Sequence, residues 1–228
     1  MKKKVLLILA LVLLLVLAGC ANAEPNNNTP ANSTPTNNQV DEKLAATGPE
    51  DAEGENAETD ADVTPKVLVA YFSATNNTAG IAAEIAESLG ADLYAITPAE
   101  PYTAEDLNYG NDDSRTSREM NDPDSRPALG GDSVENMADY DVVFLGYPIW
   151  WGQAPRIISS FLEAYDFSGK TIVPFCTSGS SGIGSSASNL HGLAAEATWL
   201  AGQRFPGGAS QDSVVEWLSS LDIAVNAE

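Results

Sequence analysis

The chain predicts an α/β fold built on a doubly wound, five-stranded parallel sheet. Two observations carry this. Five apolar runs short enough to be strands recur at regular intervals after residue 65, and stretches of helical periodicity fall between them. Strands that alternate with crossover helices pair in parallel, and ligands of such sheets sit beyond the strand carboxyl ends. A third observation marks the first of those ends: Val67–Thr78, VLVAYFSATNNT, passes from an apolar strand into a hydroxyl- and amide-rich turn and directly into a helix.

That helix, Ala79–Leu89, carries Ile81, Ile85 and Leu89 on one face, with alanines between, so Glu84 and Glu87 are expected to face water. Its N-terminus points from the strand end, where free backbone N–H groups and the helix dipole favour an anion. Ser73, Thr75, Asn77 and Thr78 can donate hydrogen bonds there, although the same residue types also serve as ordinary helix caps. The run has neither the lysine-bearing spacing of a triphosphate loop nor the GxGxxG of a dinucleotide loop. The remaining strands are Ala91–Ile96, Asp141–Gly146, Thr171–Cys176 and Thr198–Phe205. Helical spacing appears in Pro155–Tyr165 (Ile157, Ile158, Phe161, Leu162), in Ser185–Leu193, and in Asp212–Leu221 (Val214, Val215, Trp217, Leu218, Leu221).

Residues 1–20 read as a secretory signal: three lysines, the apolar stretch Val5–Ala18, then LAGC. The apolar stretch falls short of the roughly 18–20 residues that span a bilayer. LAGC resembles the lipobox of bacterial lipoproteins. The resemblance implies that the signal is removed, that Cys20 becomes a lipid-bearing N-terminus, and that the protein is held outside the cytoplasm on the bacterial cell membrane. Each buried methylene of such an anchor adds about 0.8 kcal/mol. With Cys20 so used, Cys176 has no cysteine partner within the chain. Residues 21–64 are rich in Asn, Thr, Pro and Glu and poor in large apolar side chains, the composition of a disordered, acidic tether. Residues 65–228 form the one folded domain. A net charge of −21 excludes nucleic acid as a partner and makes the cation-free anion loop notable, because only oriented dipoles could hold the anion.

Two further strand ends complete a candidate site. The third strand ends in Gly146–Gly152, GYPIWWG, and the fourth in Cys176–Gly182, CTSGSSG. The former offers flat aromatic faces. Trp151 is either a core residue or ligand-facing, whereas Trp150, just after a Pro-fixed turn, is the better candidate to stack on a planar ligand. Glycines 179, 182 and 184 allow close backbone approach. A phosphate cradle, a stacking tryptophan and a Gly-rich donor loop on successive strand ends describe a site for flavin mononucleotide, FMN. In these features residues 65–228 resemble the flavodoxin family. SATNNT is similar to its T-x-T-G-x-T phosphate loop, which assigns Ser73, Thr75, Asn77 and Thr78 to the phosphate and places Asn76 where the family has glycine, a left-handed position that Asn tolerates. PIWWG resembles the tryptophan loop, so Pro148, Ile149, Trp150, Trp151 and Gly152 would border the ring, with the Trp151–Gly152 peptide near flavin N5. TSGSSG resembles the loop at the pyrimidine edge, here Thr177, Ser178, Gly179 and on to Gly182. The family resemblance also implies the sheet order 2-1-3-4-5.

Two departures qualify the resemblance. Residues 177–189 hold no aromatic, so one flavin face is expected to be open. Pro98–Asp132, with Tyr102, Tyr109, Arg115 and Arg118, is longer than a crossover needs and similar to an insertion in one flavodoxin-like subgroup; it is either a lid over the flavin or a solvated excursion. The expected function is an FMN-binding electron carrier on a lipid anchor, exchanging electrons with a redox partner protein or small-molecule acceptor. The alternatives are an FMN-dependent NAD(P)H:quinone-type oxidoreductase, favoured by the open face and the insertion's arginines, and a surface binding module without flavin. No metal and no catalytic acid are expected; His191 reads as a helix surface or cap residue and Cys176 as core.

Overall fold

The computed structural model describes residues 64–223. The expected leader 1–20, with Cys20, and the expected linker up to residue 63 lie outside the described residues, as do residues 224–228.

The central strands are apolar along their whole length because both of their faces are covered. In β1 (Val67–Tyr71) the side chains of Val67 and Val69 enter one core with Ile81, Ile85, Val214 and Trp217, while Leu68 and Ala70 enter a second core with Ile157, Ile158, Phe161 and Leu162. β5 (Val142–Pro148) divides in the same way, Val142 and Phe144 to one side and Val143, Leu145 and Tyr147 to the other. Continuous apolar runs of this kind mark parallel strands buried between two helical layers. The helices are α1 (Asn77–Leu89), α3 (Arg156–Ala164) and α4 (Gln211–Ser219). β2 (Asp92–Ala95), β1, β5 and β6 (Thr171–Thr177) pair in that order, all in parallel, which is the expected sheet.

The fifth strand departs from expectation by breaking into β7 (Thr198–Trp199) and β8 (Gln203–Phe205), both paired with β6. The cause lies in β6. Lys170 and Ile172 accept bonds from Thr198 and Leu200 at 2.8 and 3.0 Å, and Ser178 donates to Phe205 at 3.2 Å, so even-numbered residues of this strand face the fifth one. Pro174 shares that parity and has no N–H to give, so the ladder lapses there. Gly202 fills the gap: a Cβ on it would stand 2.7 Å from the Pro174 carbonyl oxygen and 2.5 Å from Ile183 Cδ1.

Three smaller expectations are also revised. Ser185–Leu193 forms only a 3₁₀ turn, Ser188–Leu193, because the hydroxyls of Ser186 and Ser188 bond the carbonyls of Ile183 and Ser185 at 2.6 and 3.1 Å and compete with helical pairing. Glu84 does not face water freely: one carboxylate oxygen is buried without a partner, and desolvation, with Glu87 nearby, raises its pKa. The 98–132 segment has structure of its own. β3 (Thr97–Pro98) and β4 (Leu129–Gly130) close its base as an antiparallel ribbon, and α2 (Arg115–Asn121), capped by Ser114, lies within it.

Gly202→Ala should destabilise the protein by about 1–3 kcal/mol through overpacking against a strand backbone that cannot yield. Urea denaturation reads this directly, and a loss near zero would mean that Pro174 does not set the break.

Candidate functional site

Strand registry brings the three loops of interest to one edge. Tyr71 lies beside Gly146, and Pro148 beside Thr177. Bonds from Phe72 N to Gly146 O at 2.9 Å and from Ile149 N to Thr177 O at 3.0 Å carry the pairing into the loops themselves.

In the first loop Asn76 adopts φ +64°, the left-handed conformation expected where the resemblance places glycine. No side chain caps α1, and no acidic residue stands in its first turn. The ordinary capping alternative is therefore not what the loop does: the leading N–H groups are unclaimed by side chains. Ser73 is half-buried, and Thr75, Asn76 and Asn77 are exposed around that helix end. Asn77 Nδ2 donates to Thr75 Oγ1 at 3.1 Å. Gly207, after β8, closes the loop's far side, since a Cβ there would lie 2.8 Å from Asn77 Oδ1. Thr78 differs from its neighbours. It is buried, and its hydroxyl meets that of Thr177 at 2.7 Å, which ties the first loop to the third.

The second loop turns on Trp151 and Gly152, at φ +48° and +75°, closed by reciprocal bonds of 2.9 Å between Trp150 and Gln153. Two central residues at positive φ make the tight hairpin turn that Asn-Gly usually supplies. A bulky residue in that conformation is strained, so this turn holds its tryptophan out at a cost. Trp151 is 48% exposed and packs edge to face with Tyr109 at 6.4 Å. Of the two tryptophans it is Trp150 that leans on the core, perpendicular to Phe72 and Tyr102 at 5.5 and 5.4 Å, and this excludes the core alternative for Trp151. Both rings, with Pro148, Ile149, Ala74 and Thr75, line a cavity of about 220 Å³.

The third loop is pinned by Arg204 of β8, whose Nε and Nη2 donate to Ser178 Oγ and O at 3.1 and 2.5 Å. The Ser178 hydroxyl also bonds the Ser181 carbonyl. Gly179 and Gly182 have open space where a Cβ would be. Cys176, fully buried below this loop, has its thiol pushed up to about 12 by burial, so it is inert packing. His191 is exposed and stacks on Trp199 at 4.7 Å, as a surface residue would.

Tyr109, named in the sequence as part of a candidate lid, lines the same cavity, and with it stand two residues of the 98–132 segment that were not anticipated, Leu107 and Thr116; Arg204, which orders the third loop, was not anticipated either. Tyrosines in an otherwise polar stretch were the available signal for the segment; nothing local marked Arg204. Arg115 and Arg118 bond within the segment, whereas Arg126 pairs with Glu163 of α3 at 2.9 Å. Arg115 pairs with Glu119 at 2.7 Å and with the Glu100 carbonyl at 2.8 Å, and Arg118 bonds the Asp113 carbonyl.

A five-position parallel sheet in this order, with three loops gathered at its carboxyl edge and an uncapped helix at the first, defines the flavodoxin-like class. The flavodoxin family profile matches residues 66–221, and the chain belongs to that family. It is similar to the crystal structure of a candidate flavoprotein from Bacteroides eggerthii, at 47% identity over 70% of this chain and 99% of that one, with a TM-score of 0.66. A second candidate flavoprotein, from Bacteroides uniformis, is 44% identical over 69% of this chain and 100% of its own, also at 0.66. A flavoprotein from Lactobacillus acidophilus, crystallised in complex with FMN, shares the fold at 20% identity over 69% of this chain and 100% of that one, with a TM-score of 0.53. No curated protein matches the chain.

If Trp151 is strained as its backbone indicates, Trp151→Gly should be more stable than Trp151→Ala by about 1 kcal/mol, since both lose the ring and only glycine relaxes the left-handed turn. Equal urea midpoints for the two variants would place the turn's strain elsewhere.

Proposed function

We propose that the folded domain binds one FMN noncovalently and serves as an electron carrier. The observation that carries this reading is the open N-terminus of α1. It combines unclaimed N–H groups, a positive dipole end and uncharged donors from Ser73, Thr75 and Asn77, at the one place where the other two loops converge. The fit is chemical as well as topological. A phosphate supplies the acceptors that this helix end lacks, and the flat faces of Trp150 and Trp151 suit a planar ring. Asn76 gives the turn, and Thr78 with Thr177 fixes the spacing between the first and third loops. Pro148, Ile149 and Gly152 shape the ring's border, and the backbone N–H groups of Gly179 and Gly182 offer donors next to Ser178, which Arg204 holds in place.

Bound FMN supplies the redox chemistry; the chain holds it and sets its potential. The acidic protein, at net −21, opposes added negative charge in the site, which lowers the potential and disfavours a phosphate-bearing donor. An NAD(P)H:quinone-type oxidoreductase would use the open flavin face together with cations for the donor's phosphates. Arg115 is committed to Glu119 and to the Glu100 carbonyl inside its own segment, which removes one such cation, and the carrier reading is favoured on that ground together with the acidic charge.

Ser73→Ala with Thr75→Val should weaken FMN by more than tenfold and riboflavin hardly at all, because a lost hydrogen bond to a charged group costs about 1.5–3 kcal/mol and riboflavin has no phosphate. Flavin fluorescence titration measures both constants, and equal losses would move the phosphate elsewhere. The carrier is proposed to work from a lipid anchor outside the cytoplasm, on the strength of LAGC at residues 17–20. Metabolic labelling with a fatty-acid analogue should mark the chain and fail to mark Cys20→Ser; equal labelling of both would rule out Cys20 as the lipidated residue.

A further inference from the structure

We propose that Tyr102 is a positioning residue that fixes the ring of Trp150, and that the Arg115–Glu119 pair holds Tyr102 in place. The 98–132 segment is then a fixed wall of the flavin site and not a lid that opens. The proposal rests on the FMN reading above for its functional meaning, and on the following geometry for its structure.

Phe72, Tyr102 and Trp150 form a triangle of rings with centroid separations of 5.7, 5.5 and 5.4 Å. Trp150 is nearly perpendicular to both of the others, at 89° to Phe72 and 85° to Tyr102. Phe72 belongs to the end of the first strand and is buried, so its position is given by the sheet. Tyr102 belongs to the 98–132 segment and needs an anchor of its own. It has three. Its hydroxyl donates to Glu119 Oε2 at 2.6 Å, the Arg115 guanidinium lies 4.1 Å from its ring centroid, and Arg115 Nε donates to the other Glu119 oxygen at 2.7 Å. The side chains of Arg115 and Glu119 are only 19% and 11% exposed, so solvent screens this pair less than a surface one. Burial and the Glu119 carboxylate raise the phenol's pKa, so the hydroxyl remains a donor throughout the working pH range. The anchor is in turn bolted to the body of the protein: Arg156, at the start of α3, donates to the carbonyls of Glu119 and Met120 at 3.3 and 3.0 Å. A movable lid would have to break this chain of contacts at each opening.

The test uses the full-length chain, with and without FMN. The near-ultraviolet circular dichroism of Trp150 is isolated as the difference between wild type and Trp150→Phe in the FMN-free protein, and FMN affinity is measured in parallel. Tyr102→Leu should abolish most of the Trp150 band and weaken FMN about tenfold. Tyr102→Phe, which keeps the ring and loses the bond to Glu119, should fall between Leu and wild type. Glu119→Gln keeps one acceptor for the phenol but no longer pairs with Arg115, so both readouts should fall part of the way toward Tyr102→Phe. A Trp150 band and FMN affinity unchanged in Tyr102→Leu, or in Tyr102→Phe should the leucine variant fail to fold, would overturn the proposal, as would a loss confined to thermal stability. If FMN fails to bind even the wild type, the functional reading falls, yet the band in the FMN-free chain still decides whether Tyr102 positions Trp150.

Discussion

Two-sided burial of β1, β5 and β6 is the constraint on which the candidate site depends. Each strand sends alternate residues into opposite cores, so a slip of one position would swap every side chain to the wrong face. That penalty locks the registry, and the locked registry ends β5 and β6 level with one another and β1 beside them, opposite Gly146. The loops that follow have no freedom to separate, and the buried Thr78–Thr177 contact fastens two of them directly. Parallel pairing also makes all three ends carboxyl ends, where backbone donors and the dipole of α1 face the same space. Chemistry at this edge is therefore a product of core packing as much as of the loop residues.

The parts of the fold that were legible in the sequence are those set by local pattern. Strands and helices with strong apolar periodicity fell where expected, and Asn76 took the left-handed conformation that its place in the loop required. What was not legible depends on partners distant in sequence. The division of labour between Trp150 and Trp151 turns on Tyr102, which reaches Trp150 from another segment, and on a turn whose hydrogen bonds rotate Trp151 outward. The split fifth strand follows from the parity of Pro174 on a neighbouring strand, information that no window around residues 198–205 contains. Arg204 looked like any surface arginine until the sheet set it beside Ser178.

The long polar segment shows how composition misleads about order. Its residues are mostly exposed, yet the ribbon of β3 and β4, the capped α2 and the Arg126–Glu163 pair at 2.9 Å bind it at several points to the body of the protein. Two of its acidic side chains are hydrogen-bond acceptors for local turns. Asp106 accepts from Thr103, and Asp122 from Asp124. Those contacts hold Asp106 below the usual carboxylate range, as expected of a group whose charged form is the one being bonded.

The interrupted outer strand has a consequence for contacts between copies of the protein. A continuous strand at a sheet margin presents an unbroken row of free N–H and C=O groups, a template on which a second chain can add its own strand. Here the margin beyond β6 consists of a two-residue piece and a three-residue piece, offset by the turn through Gly202. Neither piece offers the long, continuous row of backbone groups on which edge-to-edge addition depends, and the proline at position 174 is what shortens them.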